Sequence, residues 1–377
     1  MKILVLAHPL RAGGGRATCM NVLHHLTQLD RENQYYLILP DQEQYRSLRL
    51  EGRVHRVEYY SHKFGYIKRI YFDKIALKGI LRDYKPDLLW AMGGLGLQHC
   101  PCPQAISIQN PYVMYPPRHY GPLGPRDRLW VYFLRRAFHR QLPSVQLFIF
   151  QTHTMEKRLK EQYDFAGRTL VTWKAVSSFA ADSGRPLPEN MKRYAGKYKL
   201  IYVTRYYPHK GLEKIVETFD RFRDALKDVA VFITIEPDQH SAAARLLADI
   251  REKGLQDSVV NLGRLPQQEL SAYYKASDAL LMPTLMESFS GSHLEAMHFG
   301  LPILTSDLDF AREVCQDAAE YFDPWSPEDI RDHILALKAD PARAKALVEK
   351  GKRRLEEFTA TWEGIAEEIR RNLESIV

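Results

Sequence analysis

The amino-acid sequence predicts an α/β protein made of two doubly wound, Rossmann-like domains, because short apolar runs alternate with helix-period segments along most of the chain. The apolar runs are rich in Val, Ile, Leu and Phe with little polar alternation, which is typical of strands buried on both faces of a parallel sheet. Repeated strand–helix units imply right-handed crossovers. The predicted strands are Ile3–Ala7, Tyr36–Leu39, Asp87–Ala91, Ala105–Ile108, Leu147–Phe150, Leu200–Val203, Val229–Ile235, Val259–Leu262, Ala279–Met282 and Ile303–Thr305.

Helix-period segments fill the intervals, and one stretch rich in Ser, Gly, Pro and charge interrupts the pattern from about residue 176 onward. We therefore predict a first domain over residues 1–180, a linker over 181–197, a second domain over 198–360 and a last helix over 361–377. Two such domains leave a cleft between the carboxyl ends of their sheets. The clearest predicted helices are Ala17–Leu26, Leu212–Leu226, Ala242–Lys253 and Gln268–Ala276.

The bulk composition narrows the class of protein without naming a partner. The chain has 377 residues, of which 45% are hydrophobic and 26% charged, and its net charge is +7. No run of about 18 apolar residues predicts a spanning helix, and the opening MKILVLAHPLRAGGG reads as a buried strand and glycine turn rather than a signal peptide. Four cysteines fit a reducing cytosol, so we expect a cytoplasmic protein. The basic balance fits nucleic acid, an anionic membrane surface or anionic small substrates.

The strongest motif runs from Glu287 to Glu295 and follows the predicted strand Ala279–Met282. This order places Glu287 in the loop at the carboxyl end of the strand and Glu295 on the first turn of a helix over about 293–299. We expect Ser290 or Ser292 to cap that helix. The backbone amides at its start suit a phosphate or a sugar hydroxyl. The candidate donor-binding residues here are Ser288, Phe289, Ser290, Gly291 and Glu295.

A second motif, VTRYYPHKGL, follows the first strand of the second domain. Arg205 ends that strand and Lys210 precedes the next helix. A guanidinium and an ammonium on one loop can share a diphosphate, the first as a fork and the second as a point charge. They would neutralise charge on a departing nucleoside diphosphate. Without the first motif, this spacing would favour an interpretation as two solvated surface charges.

Together, the two motifs resemble the retaining glycosyltransferase family 4 group, which has a GT-B fold. The resemblance covers the C-terminal half, from KLIYVTRYYPHKG through NLGRLPQQELSAYYKASDALLMPTLMESFSGSHLEAM to GLPILTSDLDFAREV and AAEYFDP. It implies that Glu287 faces the donor sugar, that Glu295 binds the ribose hydroxyls, and that Arg205 and Lys210 hold the diphosphate. It also implies retention through an oxocarbenium-like transition state, with the leaving phosphate helping to deprotonate the acceptor hydroxyl.

The same resemblance implies a hexose-type sugar carried by a nucleoside diphosphate, a glycan or lipid-linked acceptor, and a role in surface-polysaccharide assembly. The last helix, over 361–377, resembles a tail that crosses back onto the first domain, although an ordinary final helix of the second domain fits equally well. We expect no cofactor and no metal, since Asp307 and Asp309 fit loop and helix-cap roles. The nucleotide base and the linkage are open.

The N-terminal half matches that family less closely. Gly14 and Gly15 follow the first strand in a glycine turn where family members approach donor phosphate or acceptor, and the turn does not form G-x-G-x-x-G. Asn110 stands where the family usually has a histidine; it can hydrogen-bond a sugar hydroxyl but cannot shuttle a proton. His99 and His119 are read as surface or loop histidines. PPRHYGPLGP, residues 116–125, reads as a mobile loop at the cleft.

The segment 126–142 predicts a basic amphipathic helix with two open interpretations. It can dock on an anionic membrane that carries a lipid-linked acceptor. Equally, its apolar stripe can face the core and leave a solvated basic face. The predicted apolar stripe is Trp130, Phe133, Leu134, Ala137 and Phe138, and the predicted basic side is Arg128, Arg135, Arg136 and His139.

Two other classes of protein compete with a glycosyltransferase. A GT-B-type sugar-nucleotide epimerase or hydrolase would bind the same donor but needs an acid/base pair that the sequence does not offer. A basic nucleic-acid-binding protein predicts a basic stripe with exposed aromatics and no paired acidic site. Glu287 and Glu295 argue against the latter, so we expect no nucleic-acid partner.

Overall fold

The computed structural model describes residues 1–60, 75–173, 175, 184 and 186–377, which form two compact units around one parallel sheet each. Unit 1 comprises Met1–Met114, Asp127–Ala175 and Ala360–Val377, and unit 2 comprises Tyr115–Arg126 and Val176–Thr359. The predicted α/β doubly wound class is therefore confirmed. Part of the predicted linker, at 181–183 and 185, lies outside the described residues.

The sheet of unit 1 has seven parallel strands in the order β3-β2-β1-β4-β5-β6-β7, so its strand order reverses between β1 and β4. Its strands are β1 Lys2–Leu6, β2 Gln34–Pro40, β3 Arg53–Tyr60, β4 Leu88–Ala91, β5 Gln104–Ser107, β6 Leu147–Phe150 and β7 Arg168–Val171. The α-helices along this part of the chain are α1 Gly13–Leu29, α2 Glu43–Arg46, α3 Leu77–Tyr84, α4 Pro125–Gln141 and α5 His153–Tyr163.

The sheet of unit 2 has six parallel strands in the order β10-β9-β8-β11-β12-β13, and its order reverses between β8 and β11. Its strands are β8 Tyr198–Tyr202, β9 Val229–Ile233, β10 Val259–Asn261, β11 Ala279–Met282, β12 Ile303–Ser306 and β13 Glu320–Phe322. The helices that follow are α6 Glu189–Lys192, α7 Leu212–Arg221, α8 Ser241–Glu252, α9 Leu270–Lys275, α10 Gly291–His298, α11 Asp309–Cys315, α12 Pro327–Ala339, α13 Pro341–Glu356 and, in unit 1, α14 Trp362–Glu374.

Three strands were not predicted from the sequence, and each lies at the edge of a sheet. They are β3 and β7 in unit 1 and β13 in unit 2. An edge strand pairs on one side only, and each of these three segments includes at least one charged residue. The continuous apolar run that marks a central strand is therefore missing from them.

The last helix of the chain packs in unit 1. One face of α14 carries Ile365, Ala366, Ile369 and Leu373, all buried in the same core cluster as Val22 of α1. Spacings of three and four residues put these side chains on one side of the helix, which is the pattern of a helix that covers a core. Of the two interpretations of segment 361–377, the structure has the one in which it joins the first unit.

Residues 115–126, which we call the inserted segment, pack with unit 2 although their chain neighbours on both sides belong to unit 1. Tyr115, His119, Tyr120 and Leu123 are all buried. The segment includes the 3-10 helix Pro117–His119. It was expected to be a mobile loop of the first domain; four buried anchor residues instead fix it to the second, and His119 is neither a surface nor an exposed loop residue.

Candidate active site

The two motifs follow the two strands at which the strand order of unit 2 reverses. β8 ends at Tyr202, and the loop carrying Arg205 and Lys210 comes directly after it. β11 ends at Met282, and Glu287 lies in the next loop. Ligands of open parallel sheets bind at the carboxyl ends of the strands flanking such a reversal. The topology therefore brings both motifs to the usual binding position of this fold.

Backbone contacts lock the two loops together. The carbonyl oxygen of His209 accepts a 2.8 Å hydrogen bond from the amide of Leu285, and the Thr284 hydroxyl lies 3.1 Å from the same carbonyl. Gly211 has φ of +70°, and a Cβ there would lie 2.0 Å from the carbonyl oxygen of Pro283. Only glycine allows both this conformation and this approach.

The locked loops place Lys210 against Glu287. The Nζ atom of Lys210 donates to Oε1 of Glu287, and the two side chains are only 16% and 9% exposed. The Thr284 hydroxyl lies 3.3 Å from the same carboxylate oxygen. Burial disfavours the charged ammonium, but the adjacent Glu287 carboxylate outweighs this and raises the pKa of Lys210 above its ordinary value. The candidate site thus holds a charged lysine and its counter-ion in a largely dehydrated position.

Arg205 is not part of this ion pair. Arg205 is exposed, and its side chain forms no hydrogen bond or ion pair with the described residues. The loop around it is fixed by its neighbours, because the amide of Thr204 donates to the Thr234 hydroxyl at 2.9 Å and that of Tyr206 to Gln239 at 2.7 Å. The structure therefore presents an exposed guanidinium on a rigid loop.

Residues 288–291 lead into α10, which begins at Gly291 rather than near residue 293. Ser288, Phe289 and Ser290 are buried, and the ring of Phe289 packs edge-on against Phe358. Ser290 occupies the N-cap position, but its side chain makes no capping bond and its hydroxyl approaches the sulfur of Met282 at 3.4 Å. The predicted capping by Ser290 or Ser292 is wrong, because Ser290 is drawn towards the β11 core.

Glu295 lies in the second turn of α10, one turn later than predicted, and is buried. Its Oε2 atom accepts a 2.6 Å hydrogen bond from the hydroxyl of Tyr274 on α9. A Cβ at Gly291 would lie 3.6 Å from the other oxygen, Oε1. The carboxylate is therefore held on one side by a phenol and faces the start of its own helix on the other.

Two buried histidines flank these charges. Burial, followed by the positive charge of Lys210, lowers the pKa of His293 to about 3 and that of His209 well below its ordinary value. The Nε2 atom of His293 lies 3.1 Å from the Thr305 hydroxyl, while its Nδ1 atom is buried with no hydrogen-bond partner among the described residues. Both rings are neutral at physiological pH, so of these three basic side chains only that of Lys210 carries a positive charge.

The inserted segment contributes to the site from a distant part of the sequence. The hydroxyl of Tyr115 lies 3.3 Å from the carbonyl oxygen of Glu287 and 3.3 Å from Oδ1 of Asp309. Asp307 accepts a 2.7 Å hydrogen bond from Arg312. Among the described residues, no group of three or more His, Cys, Asp or Glu side chains is arranged to hold a metal ion.

The predicted N-terminal site residues lie in unit 1. Gly14 and Gly15 are in the first turn of α1 and not in a loop before it, because that helix begins at Gly13. A Cβ at Gly15 would lie 2.7 Å from Oε1 of Gln109. The Oδ1 atom of Asn110 accepts a 3.0 Å hydrogen bond from the amide of Tyr112, so Asn110 caps the 3-10 helix Pro111–Val113.

Several residues of helix α4 that were predicted to face the core are exposed. Phe138 is buried, but Trp130 and Phe133 are 42% and 52% exposed. The interpretation of that stripe as core-facing is therefore wrong. Of the described residues, none belongs to a helix whose length and apolar character would let it cross a membrane. The other large exposed side chains of α4 are Leu129 and Tyr132, and its exposed cationic residues include Arg128, Arg136 and Arg140.

Sequence reasoning missed the residues that shape this site. Gly211 follows Lys210 immediately and precedes a helix, so a positive-φ glycine was recognisable there. Tyr274 and Tyr115 carried no such signal. Their hydroxyls reach the site only because helices and loops far apart in sequence pack together.

Comparison with known proteins identifies relatives of both the chain and the fold. Residues 186–354 match the family model described as glycosyl transferases group 1. O-antigen chain mannosyltransferase B of Escherichia coli is 22% identical over 290 residues, covering 75% of this chain and 73% of that protein. The further curated relatives are matched over about a quarter to a half of their own length, from 26% to 54%.

Two solved structures share the fold over the whole chain. WaaG, a glycosyltransferase involved in lipopolysaccharide biosynthesis, superposes with a TM-score of 0.72 at 16% identity, covering 100% of both chains. Anabaena Alr3699/HepE in complex with UDP and glucose gives 0.71 at 15% identity, again over 100% of both. The predicted GT-B fold is confirmed by these similarities.

Proposed function

We propose that the chain is a glycosyltransferase that moves a hexose-type sugar from a nucleoside-diphosphate sugar to a hydroxyl of a glycan or lipid-linked acceptor. The match of residues 186–354 to the glycosyl transferases group 1 model supports this proposal. The observation that carries the proposal is the Lys210–Glu287 pair at the strand-order reversal of unit 2. A buried cation at this position suits a diphosphate, and a carboxylate beside it suits the positive charge that develops on a departing sugar.

Each group has a separate task in this proposal. Lys210 and Arg205 share the diphosphate, so that the charge left on the nucleoside diphosphate is neutralised as the glycosidic bond breaks. Glu287 faces the donor sugar, and Glu295 binds the ribose. The sugar-bound phosphate oxygen takes the proton of the attacking hydroxyl on the same face, which retains the anomeric configuration. No proton-transfer role falls to His209 or His293, since both have pKa values far below neutrality.

In this proposal, binding of the donor changes the contacts of Lys210, which pairs with Glu287 before the donor binds. In the described structure Lys210 is already neutralised by Glu287. An incoming diphosphate adds negative charge next to this pair, and Lys210 then bridges the phosphate and the carboxylate. Arg205, on the exposed side of the same loop, supplies the second positive charge. Arg205 therefore adds a positive charge that is paired with no carboxylate among the described residues, whereas the charge of Lys210 is already partly neutralised by Glu287.

The nature of the polymer is proposed from relatives alone. One relative is an O-antigen chain mannosyltransferase, and WaaG is involved in lipopolysaccharide biosynthesis. HepE was solved with UDP and glucose. These names favour a nucleotide-sugar donor and assembly of a surface polysaccharide, with Gly14, Gly15 and Asn110 of unit 1 as candidate acceptor- or phosphate-side groups.

Calorimetric titration with UDP, GDP and ADP in the presence of EDTA tests the donor site. We expect one nucleotide to bind the wild type without metal, and the double variant Arg205→Ala/Lys210→Ala to bind it at least about a hundred-fold more weakly. Lys352→Ala/Arg353→Ala, two exposed cations of α13, is the matched control and should bind as the wild type does. Equal binding by the double variant would refute the assignment.

We further propose that α4 rests on the anionic inner face of the cell membrane, where a lipid-linked acceptor would lie. Leu129, Tyr132 and Phe133 are each more than half exposed on one side of this helix. Arg136 and Arg140 are exposed on the same side. Apolar side chains interleaved with arginines suit the headgroup region of a bilayer, where each cation contributes about 1 kcal/mol.

Co-sedimentation with lipid vesicles separates the two contributions. We expect binding to vesicles rich in phosphatidylglycerol and weak binding to phosphatidylcholine alone. Leu129→Ser/Phe133→Ser and Arg136→Gln/Arg140→Gln should each reduce binding by about ten-fold or more, since either loss removes about 2 kcal/mol. Lys352→Gln/Arg353→Gln removes the same charge from unit 2 and should change little. Binding that these α4 variants leave unchanged would rule out this surface.

A further inference from the structure

The carboxylate of Glu295 is held by a residue that no motif includes. Tyr274 of α9 donates to Oε2 of Glu295 at 2.6 Å, and both residues are buried. A hydroxyl that donates to an ionised carboxylate at this distance makes one of the stronger hydrogen bonds in a protein. This bond fixes Oε2, and it thereby limits the orientations that the whole carboxylate can take.

Tyr274 is itself fixed. Its ring is fully buried and lies nearly parallel to that of Phe299, with centroids 5.4 Å apart. Burial, followed by the charge of Glu295, raises the pKa of Tyr274 well above its ordinary value. The phenol is consequently protonated at every physiological pH and always has a proton to donate to Glu295.

The fixed carboxylate matters because a ribose presents two adjacent hydroxyls in a rigid geometry. A glutamate side chain with three rotatable bonds loses orientational entropy when it binds them, unless its orientation is already set. The Oε1 atom of Glu295 lies on the side of Gly291, at the start of α10, where a Cβ would come within 3.6 Å. The absence of a side chain at Gly291 leaves this approach to the carboxylate unobstructed by residue 291.

We propose that Tyr274 is a positioning residue for ribose recognition: it holds Oε2 so that Oε1 of Glu295 is aimed at a ribose hydroxyl of the donor nucleotide. The inference rests on the proposed function, in which Glu295 binds the ribose. It goes beyond that proposal by assigning the selectivity for ribose over deoxyribose to a residue on another helix. Tyr274 touches no substrate and acts only through Glu295.

Deoxynucleotides separate this role from a merely structural one. For whichever of UDP, GDP and ADP binds the wild type, affinities are measured for the ribonucleotide and for its 2′-deoxy and 3′-deoxy forms. In the wild type we expect at least one deoxy form to bind about ten- to a hundred-fold more weakly, as the loss of one charge-assisted hydrogen bond predicts. Tyr274→Phe should weaken the ribonucleotide by a similar factor and leave that deoxy form within about two-fold.

Tyr273→Phe provides a matched control on the same helix. Tyr273 is also buried, but its hydroxyl accepts a 3.1 Å hydrogen bond from Asn190 instead of contacting Glu295. This variant should keep the wild-type preference for ribose. In the double variant Tyr274→Phe/Glu295→Gln, the ribonucleotide should bind no more weakly than in Glu295→Gln alone, because both changes remove the same contact.

Three results would overturn the inference. The first is an equal weakening of ribo- and deoxynucleotides by Tyr274→Phe, which is the signature of a general structural defect. The second is an unchanged ribonucleotide affinity in that variant, which means that Glu295 needs no positioning. The third is a wild type that binds ribo- and deoxynucleotides equally well, which also excludes ribose binding by Glu295. A wild type that binds no nucleotide refutes the proposed function itself.

Discussion

At the strand-order reversal of unit 1, Gly93 after β4 packs on the ring of Pro9 after β1, where a Cβ would come within 2.7 Å. At the matching reversal of unit 2, Lys210 after β8 is paired with Glu287 after β11. The two sheets share the strand order through their first six strands, yet the loops at one reversal meet through a glycine and a proline ring, and those at the other meet through a buried ion pair. Topology thus determines where the loops meet, and the loop residues determine which chemical groups they place there.

The largest effect is expected from removing the positive charge in unit 2. Lys210→Met leaves the Glu287 carboxylate buried without its counter-ion, which typically costs about 3–5 kcal/mol of unfolding free energy. Adding Glu287→Gln removes the stranded charge and should restore most of that loss. Chemical denaturation of the two variants measures the difference. If the single and double variants are equally stable, the buried charge of Glu287 costs nothing when Lys210 is absent, and the contrast drawn between the two units is wrong.

A smaller loss is expected where the two loops of unit 2 meet. Gly211→Ala imposes both a strained φ of +70° and a contact of 2.0 Å with the Pro283 carbonyl, so we expect a cost of about 2–4 kcal/mol together with loss of nucleotide binding. Gly254→Ala is the matched control, because Gly254 has φ of +65° but no heavy atom within 4 Å of an added Cβ. It should cost about 1 kcal/mol and leave binding intact.

If both glycine variants prove equally stable, the close approach of the Pro283 carbonyl does not constrain the loop. Thermal unfolding gives the stabilities, and titration with the nucleotide that binds the wild type gives the affinities.

The smallest effect is a dependence of stability on pH that originates in unit 2. The pKa of His293 is about 3 in the folded protein and about 6.5 when the chain unfolds, so the unfolded state binds an extra proton below pH 6.5. Stability is therefore lost as the pH falls from about 6.5 towards 3. Between pH 8 and pH 5 the loss amounts to about 2 kcal/mol.

His293→Leu should remove this part of the acid sensitivity and remain within about 1 kcal/mol of the wild type at pH 8, because it also removes a buried Nδ1 atom without a described partner. His298→Leu, an exposed histidine of the same helix, is the control. Urea denaturation at the two pH values provides the measurement. An unchanged pH dependence in His293→Leu would contradict the assignment.

Most of the fold was predictable, since a central parallel strand reveals itself as an unbroken apolar run. The edge strands β3, β7 and β13 were not, because each combines charged and apolar residues. The sequence left the orientation of α4 open for a related reason. Its apolar residues lie on both sides of the helix, so a helical projection alone does not tell which side faces the core.

Only those features of the candidate site that depend on nearby residues in the sequence were predictable. The loop positions of Lys210 and Glu287 followed from the strands before them. Their mutual contact depends on Gly211 lying against Pro283, and the hold on Glu295 depends on Tyr274, both of which are matters of tertiary packing. The roles of all the candidate site residues stay predictions, those of Lys210, Glu287 and Glu295 as much as those of Arg205 and Asn110.

The inserted segment makes unit 2 discontinuous in the chain: the backbone passes from one unit to the other four times. Gly121 of this segment has φ of +73°, and a Cβ there would lie 2.0 Å from the Pro208 carbonyl, two residues before Lys210. A recombinant chimera with a single crossover near residue 176 would join this segment to foreign partners at Pro208 and Glu287. A chimera that keeps the packing of unit 2 intact therefore requires residues 115–126 to be transplanted together with the C-terminal half.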